Sequence, residues 1–371
     1  MSSGKASYFR FFWAGVIGVV GMLSGMLSFE RPSFALSELR ELYRGSRAQA
    51  MGNAFVAVAD DEEAIFYNPA GLAGNTRTKI TYLAADIEAS NDLIFGIGQN
   101  LGAFSKLGAG TINTLMGKDI YGRVTLSPTI TFPGFGLAVL VDDQAALMAK
   151  NMALPHITLG YQATNGMQAG FGFAVGGKKR KSRGELRLGV AGKVLWRRGG
   201  YHEIPLMNMF KINANTLGDM TGGFERGMGG DLGAQYLFDL DPHIRLSAGT
   251  AYTDILDTKF GGIADSQPSN LSTGAAASYH FKRASTTVAY DYRHMLTTTD
   301  WRKKSHLGWE LSLPIVSVQA GLNQMTFCYG ATVDLFLFKI RALSYAEDMA
   351  AFANLESQRR YMFRIDFSLR L

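Results

Sequence analysis

The densest set of chemistry-bearing residues in this chain is an acidic run, Asp60-Asp61-Glu62-Glu63. Clustered carboxylates suit a hard cation. The run also precedes Ala64-Ile65-Phe66-Tyr67, and Asp60 and Glu63 have the spacing of a helix-capping box. Acids at a helix N-terminus are favoured by its dipole, and that reading needs no metal. The six histidines (156, 202, 243, 280, 294 and 306) are scattered, without metal-ligand spacing. No Gly-x-Ser-x-Gly elbow occurs. Gly96-Ile97-Gly98 and the stretch Gly110 to Gly117 do not form a dinucleotide or phosphate loop, because Gly117-Lys118 is followed by Asp119 rather than Ser or Thr. Lys178-Lys179-Arg180-Lys181-Ser182-Arg183 is basic and reads as a solvated turn meeting lipid head groups or phosphates rather than nucleic acid. The residues therefore point to no catalytic group, no metal, no cofactor and no nucleic-acid partner, and away from an enzyme.

The composition points to a membrane barrel. The 371 residues are 18% charged and 12% aromatic, with 43 Gly, yet the mean hydropathy is only +0.02. A helical membrane protein gathers its apolar residues into runs of about 20. A membrane β-barrel alternates apolar lipid-facing residues with small or polar lumen-facing ones and averages near neutral. The one long apolar run is Phe11 to Phe29, preceded by Lys5 and Arg10 and followed by Ser33-Phe34-Ala35. That order is a secretory signal over residues 1–35, with Leu36 as the mature start; the competing reading is an uncleaved anchor. The single cysteine, Cys328, leaves no internal disulfide and no lipoprotein site. A net charge of +6 suits the anionic outer-membrane surface.

Residues 36–76 do not alternate. Ser37 to Tyr43 is expected to form a short helix with Ser37 as N-cap and Arg40 and Arg44 exposed. Asn68-Pro69-Ala70-Gly71 stops any helix. This segment is a compact, partly helical unit. From residue 77 to 371 the period is two. At the C-terminus Tyr361, Phe363, Ile365, Phe367, Leu369 and Leu371 share one face, and Met362, Arg364, Asp366, Ser368 and Arg370 the other. The same split recurs at Leu186 to Trp196 against Arg187, Gly189, Ala191 and Lys193, and at Leu307 to Leu313 against His306, Gly308, Glu310 and Ser312. The small inward residues leave room for a plug. Fifteen strand candidates can be drawn, but termini on one side require an even number. One pair within 121–177 is thus a single bent strand, or one candidate is not a strand. The expected fold is all-β: a transmembrane antiparallel barrel of about fourteen strands, with a short, partly helical N-terminal plug in its lumen. Loops near 198–225, 255–270, 295–303 and 347–358 are expected outside the cell.

The stretch Gly45-Ser46-Arg47-Ala48, Met51 to Asp61 and Ala64-Ile65-Phe66-Tyr67-Asn68-Pro69-Ala70-Gly71-Leu72 resembles the FadL-type outer-membrane transport family, and equally its PorV-type branch. The resemblance is strong over about 30 residues. It implies fourteen strands, an N-terminal plug carrying the Asn-Pro-Ala motif, an outer-membrane location, and passive uptake of long-chain fatty acids or aromatic hydrocarbons. The PorV-type alternative is a scaffold that binds a secretion-system protein, for which Ser344-Tyr345-Ala346-Glu347-Asp348 is the candidate stretch. Outer-membrane lipids, lipopolysaccharide and a hydrophobic small molecule are the other expected partners.

Two sets of residues follow as candidates. Phe66, Asn68, Pro69, Ala70 and Gly71 form a gate between plug and wall, or a turn that locks the plug. Leu93, Ile94, Phe95, Leu101, Phe104 and Leu107 lie in the first external loop, where little charge accompanies them. Such an apolar segment captures a ligand, packs across the barrel mouth, or dips into the outer leaflet.

Overall fold

The structure is a computed structural model, which describes residues 39–97, 117–150, 156–176, 183–205, 220–350 and 356–371. The expected signal segment, 1–35, lies outside them. The strands are β1 (Lys79–Ser90), β2 (Asp119–Leu126), β3 (Thr129–Phe132), β4 (Phe135–Lys150), β5 (His156–Gly176), β6 (Gly184–Pro205), β7 (Glu225–Asp239) and β8 (Ile244–Thr253). They continue as β9 (Asn270–His280), β10 (Ser285–Tyr292), β11 (Ser305–Ser312), β12 (Val316–Asn323), β13 (Thr326–Leu335), β14 (Phe338–Asp348) and β15 (Ser357–Arg370). All pairings are antiparallel, and β15 pairs with β1, so the sheet closes. β2 and β3 both lie between β1 and β4. They are two halves of one stave, and the barrel has fourteen.

Two local features set that number. Pro128, with no N–H to give, interrupts the second stave. The chain bridges the break with Ser127 N–H donating to the Ala84 carbonyl (2.8 Å) and the Pro128 carbonyl accepting from Val139 N–H (3.0 Å). Opposite the break, the β1 register slips between Thr81 and Leu83. The candidates 154–164 and 167–177 are one strand, since β5 runs unbroken through Asn165-Gly166. Gly166 is no turn: it sits opposite Leu140 and Leu195, and a Cβ there would overlap the Leu195 side chain.

The outer face is apolar. On β15, Phe363 and Ile365 point outward and are exposed, while Arg364 and Asp366 are buried inside. Rings cluster at the short-turn end: Phe135 lies between Phe132 (6.2 Å between centroids) and Phe171 (4.6 Å), and Phe367 between Tyr82 (6.0 Å) and Phe338 (5.0 Å). Such rims mark the two surfaces of a bilayer. No helix among the described residues is long and apolar enough to cross one; the strands cross instead. Long connections such as 90–119, 205–225, 253–270 and 292–305 share one end, while tight turns such as 132–135, 239–244 and 280–285 share the other.

Residues 39–75 fill the bore, with α1 (Ser46–Ala50), α2 (Ala64–Tyr67) and a 3-10 turn, Pro69–Gly74. The helix expected over 37–43 is absent from its described part, 39–43. Glu41 pairs with Arg293 (3.0 Å), Arg364 donates to the Tyr43 hydroxyl (2.7 Å) and Arg44 donates to Tyr121 (3.1 Å). Pulled towards different walls, these side chains prevent a helical path, and Arg44 is buried rather than exposed. The capping box is not formed either. Glu63 has helical backbone at the N-cap with no side-chain cap; its carboxylate takes Ser46 Oγ (3.2 Å) and Arg341 Nη1 (2.9 Å). A charge-assisted bond to a buried guanidinium outweighs a cap worth about 1 kcal/mol. Asp61 instead accepts the Glu63 N–H (2.9 Å).

The wall makes space for this segment by omitting side chains. A Cβ on Gly233 would overlap Asn68 Oδ1, one on Gly189 the Pro69 backbone, and one on Gly308 the Met51 carbonyl. Gly233→Leu is therefore expected to expel the plug while the barrel still forms, since overpacking costs about 1–3 kcal/mol. Limited proteolysis of the folded, heat-modifiable protein checks this: cleavage should begin within residues 39–75.

At the long-loop end, Glu41 also meets His294 Nε2 (3.2 Å) and Asn53 Nδ2 (3.0 Å). Burial pushes the Glu41 carboxyl up, but Arg293 and His294 outweigh it and hold it below the usual carboxylate range. Burial holds His294 below its ordinary value. A freed imidazole takes up a proton near pH 6.5 while the seated one does so only at lower pH, so the clasp loses stability as pH falls. The freed Glu41 carboxylate adds to that loss at lower pH still. Amide exchange over residues 42–45, corrected for intrinsic rates, is expected to be faster at pH 5 than at pH 8, and His294→Gln should remove most of the difference.

Candidate functional site

The plug is held to the wall by buried and half-buried ion pairs. Arg47 bridges Glu310 of β11 (2.6 Å) and the plug's own Asp60 (2.6 Å) and Asp61 (3.1 Å). Lys79 of β1 meets Glu62 (2.6 Å), and Arg341 of β14 meets Glu63 (2.9 Å). Asp291 of β10 accepts the N–H groups of Phe55 (2.6 Å) and Val56 (2.7 Å). Breaking a buried pair on one side costs about 3–5 kcal/mol. The acidic run is thus consumed in seating the plug. Among the described residues no group of three or more His, Cys, Asp or Glu is placed to hold a metal.

Space within the bore is polar. Beneath the plug a cavity of about 390 Å³ opens at the short-turn end, lined by Arg47, Asp60, Arg187, Arg245, Ser278 and Glu310 among others. At the opposite end, between Glu41, Tyr43, Lys193 and Arg293, only about 30 Å³ remains, room for a water or two.

The Asn-Pro-Ala motif lies against β5, β6 and β7. Asn68 Nδ2 donates to the Val56 carbonyl (2.9 Å) and to the Ala234 carbonyl of β7 (3.3 Å), and Asn68 Oδ1 accepts Ala70 N–H (3.1 Å). Pro69 starts the 3-10 turn, where its missing N–H costs nothing. Phe66 stacks on Tyr43 at 4.2 Å. Just behind, Ile65 and Leu72 pack on Ala138 of β4, and Gln168 of β5 donates to the Ile65 carbonyl (2.8 Å) and to Asp231 (2.7 Å).

On the other side of this wall lies an apolar groove of about 560 Å³. It sits where the second stave breaks and β1 slips. Tyr82, Ile130, Leu137, Met167 and Val194 flank it, over the small outward residues Ala169 and Gly192. Its lining also includes Ala138 and Gln168, two of the wall residues that touch the plug from within. Sequence reasoning missed these positions; the available signal was Pro128 inside an otherwise regular strand pattern.

The first long loop, expected to be external, begins with a helical turn, Asp92–Ile97. Leu93 lies over the outward face of Gly122. Phe95, 59% exposed, meets the outward ring of Tyr361 at 6.0 Å. Ile94 is exposed beside them. The described part of this loop therefore leans on the outer wall rather than across the mouth. Leu101, Phe104 and Leu107 lie outside the described residues, as does the basic run except Arg183. Ser344 to Asp348, the stretch considered for a protein partner, is buried, with Tyr345 bonded to Glu88.

No family model matches this chain, and no curated protein does. Among solved structures it is similar to the TodX monoaromatic hydrocarbon channel deltaS2 mutant, at 10% identity over 88% of this chain and 98% of that one, with a TM-score of 0.46. It is also similar to the Pseudomonas putida toluene transporter TodX (11%, 90% and 98%, TM-score 0.43) and the Ralstonia pickettii toluene transporter TbuX (12%, 88% and 98%, TM-score 0.41).

Proposed function

We propose that this barrel is an outer-membrane channel for passive uptake of hydrophobic molecules, with long-chain fatty acids and aromatic hydrocarbons as the solute classes. Solute leaves sideways through the wall at the broken stave. The observation that carries this reading is that Ala138 and Gln168 line the outer groove and also contact Ile65 and Leu72, which flank the plug motif. A shift of the plug at Ile65–Leu72 thus acts directly on the wall beside the groove. Straight passage is disfavoured, because the cavity below the plug is lined by charges and hydroxyls. Moving roughly 200 Å² of apolar surface out of water supplies about 5 kcal/mol, so no energy source is required. Leu93, Ile94 and Phe95 place an apolar landing surface at the outer leaflet. Phe66, Asn68, Pro69, Ala70 and Gly71 form the moving part, released when the Asn68 bonds yield.

Filling the groove tests this. Ala169→Trp changes an outward residue that does not touch the plug, so folding and heat modifiability are expected to stay normal. Uptake of labelled toluene or oleate by cells carrying this variant should fall at least fivefold against wild type. Undiminished uptake of both solutes would sink the side exit. Gln168→Ala, which frees the plug from the same wall, is expected to raise uptake instead.

A further inference from the structure

The outward rows of β4, β6 and β7 stay free of charge until a defined level near the long-loop end. On β6 it runs Val190, Gly192, Val194 and Trp196 before reaching Arg198; on β7 it runs Leu232, Gly230 and Met228 before Arg226; on β4 it runs Leu137, Val139 and Val141 before Asp143. The first charges on three strands thus mark one height, the polar edge of the bilayer.

Arg198 and Arg226 are neighbours there. Arg226 sits opposite Trp196 across the β6–β7 pair, and Trp196 shares its face with Arg198. The two arginines are therefore diagonal cross-strand neighbours, about 7–8 Å apart and within reach of long side chains. Like charges so placed repel. Among the described residues neither has a carboxylate at ion-pairing distance; Asp143 stands two strands from Arg198, beyond Ala163, roughly 10 Å at ordinary strand spacing. Arg198 is nonetheless held in place. Its guanidinium lies over the rings of Phe224 (4.8 Å) and Tyr161 (5.6 Å) and donates to the Tyr161 hydroxyl (3.2 Å). Its Nε is buried without a partner. Two cations, one of them fixed by aromatic rings, sit at the level of the lipid head groups and, among the described residues, lack a counter-ion.

We infer that Arg198 and Arg226 form a binding site for a phosphate group of lipopolysaccharide. Guanidinia take phosphate oxygens in paired, charge-assisted hydrogen bonds, and Tyr161, Trp196 and Phe224 suit the boundary between sugar and acyl chain. This site rests on the reading of an outer-membrane barrel with its long loops outside, but not on what solute the barrel carries.

Titration of purified protein in detergent micelles tests it, with bisphosphorylated lipid A, fully dephosphorylated lipid A and inorganic phosphate as probes. Wild type is compared with Arg198→Gln/Arg226→Gln and with Lys282→Gln/Arg283→Gln in the opposite-end turn. Heat-modifiable mobility of each sample establishes folding. Bisphosphorylated lipid A is expected to bind wild type and the turn variant at least tenfold tighter than the Arg198/Arg226 variant, with dephosphorylated lipid A binding all three alike. Equal binding of bisphosphorylated lipid A to folded wild type and Arg198/Arg226 variant would overturn the site. Competition by inorganic phosphate at equal concentration would assign the pair to free anions and overturn it as well. A barrel that binds lipid A as expected yet takes up neither toluene nor oleate would refute the transport reading and leave this site standing.

Discussion

Charge compensation across the lumen is the constraint on which the rest of the structure depends. A closed sheet in a bilayer must put its polar residues inside, and here the bore carries many guanidinia and carboxylates. Unmatched, each would be costly. The N-terminal segment supplies the partners: Glu41 for Arg293, Glu62 for Lys79, Glu63 for Arg341, and Arg47 for Glu310. Its backbone N–H groups at 55 and 56 satisfy Asp291. The plug is the counter-charge of the wall, and its irregular path follows from where those charges lie.

That dependence separates what the sequence reveals from what it conceals. Strand alternation is local and two-faced, so the barrel, its sidedness and thirteen of the strand positions could be read directly from apolar and polar spacing. Fourteen staves followed from parity. The ambiguity in 121–177 arose because Gly166 looks like a turn residue and serves as a gap for the Leu195 side chain. Within the plug, local rules failed. A capping box and a helix at 37–43 were outbid by partners far along the chain, such as Arg341 and Arg364, which no local window contains. The motif Asn68-Pro69-Ala70-Gly71 could be found from its residues, but its position behind β5–β7 could not. The wall residues Ala138 and Gln168 are ordinary inward positions of their strands, and only the closed sheet shows that the groove lies outside them.

The apolar and polar regions of the molecule are also kept apart. Greasy surface is found on the outer wall, at Phe95 and Tyr361 above and around the groove below. The bore and its lower cavity are lined by charges and hydroxyls. A single layer of strand divides the apolar groove from the polar cavity, and near the groove that layer lacks the ladder hydrogen bond that Pro128 cannot donate.

One arginine joins two events that are usually considered separately. Arg364 of the final strand bonds Asp86 of the first (2.7 Å) and, with the same nitrogen, the Tyr43 hydroxyl of the plug (2.7 Å). The seam of the cylinder and the seating of its stopper therefore share a fastener. The β1–β15 pairing joins the strands farthest apart in the chain, a non-local contact of the slow-forming kind, and the N-terminal segment leads directly into β1. Closing the seam and holding the stopper thus draw on the same guanidinium, so each favours the other.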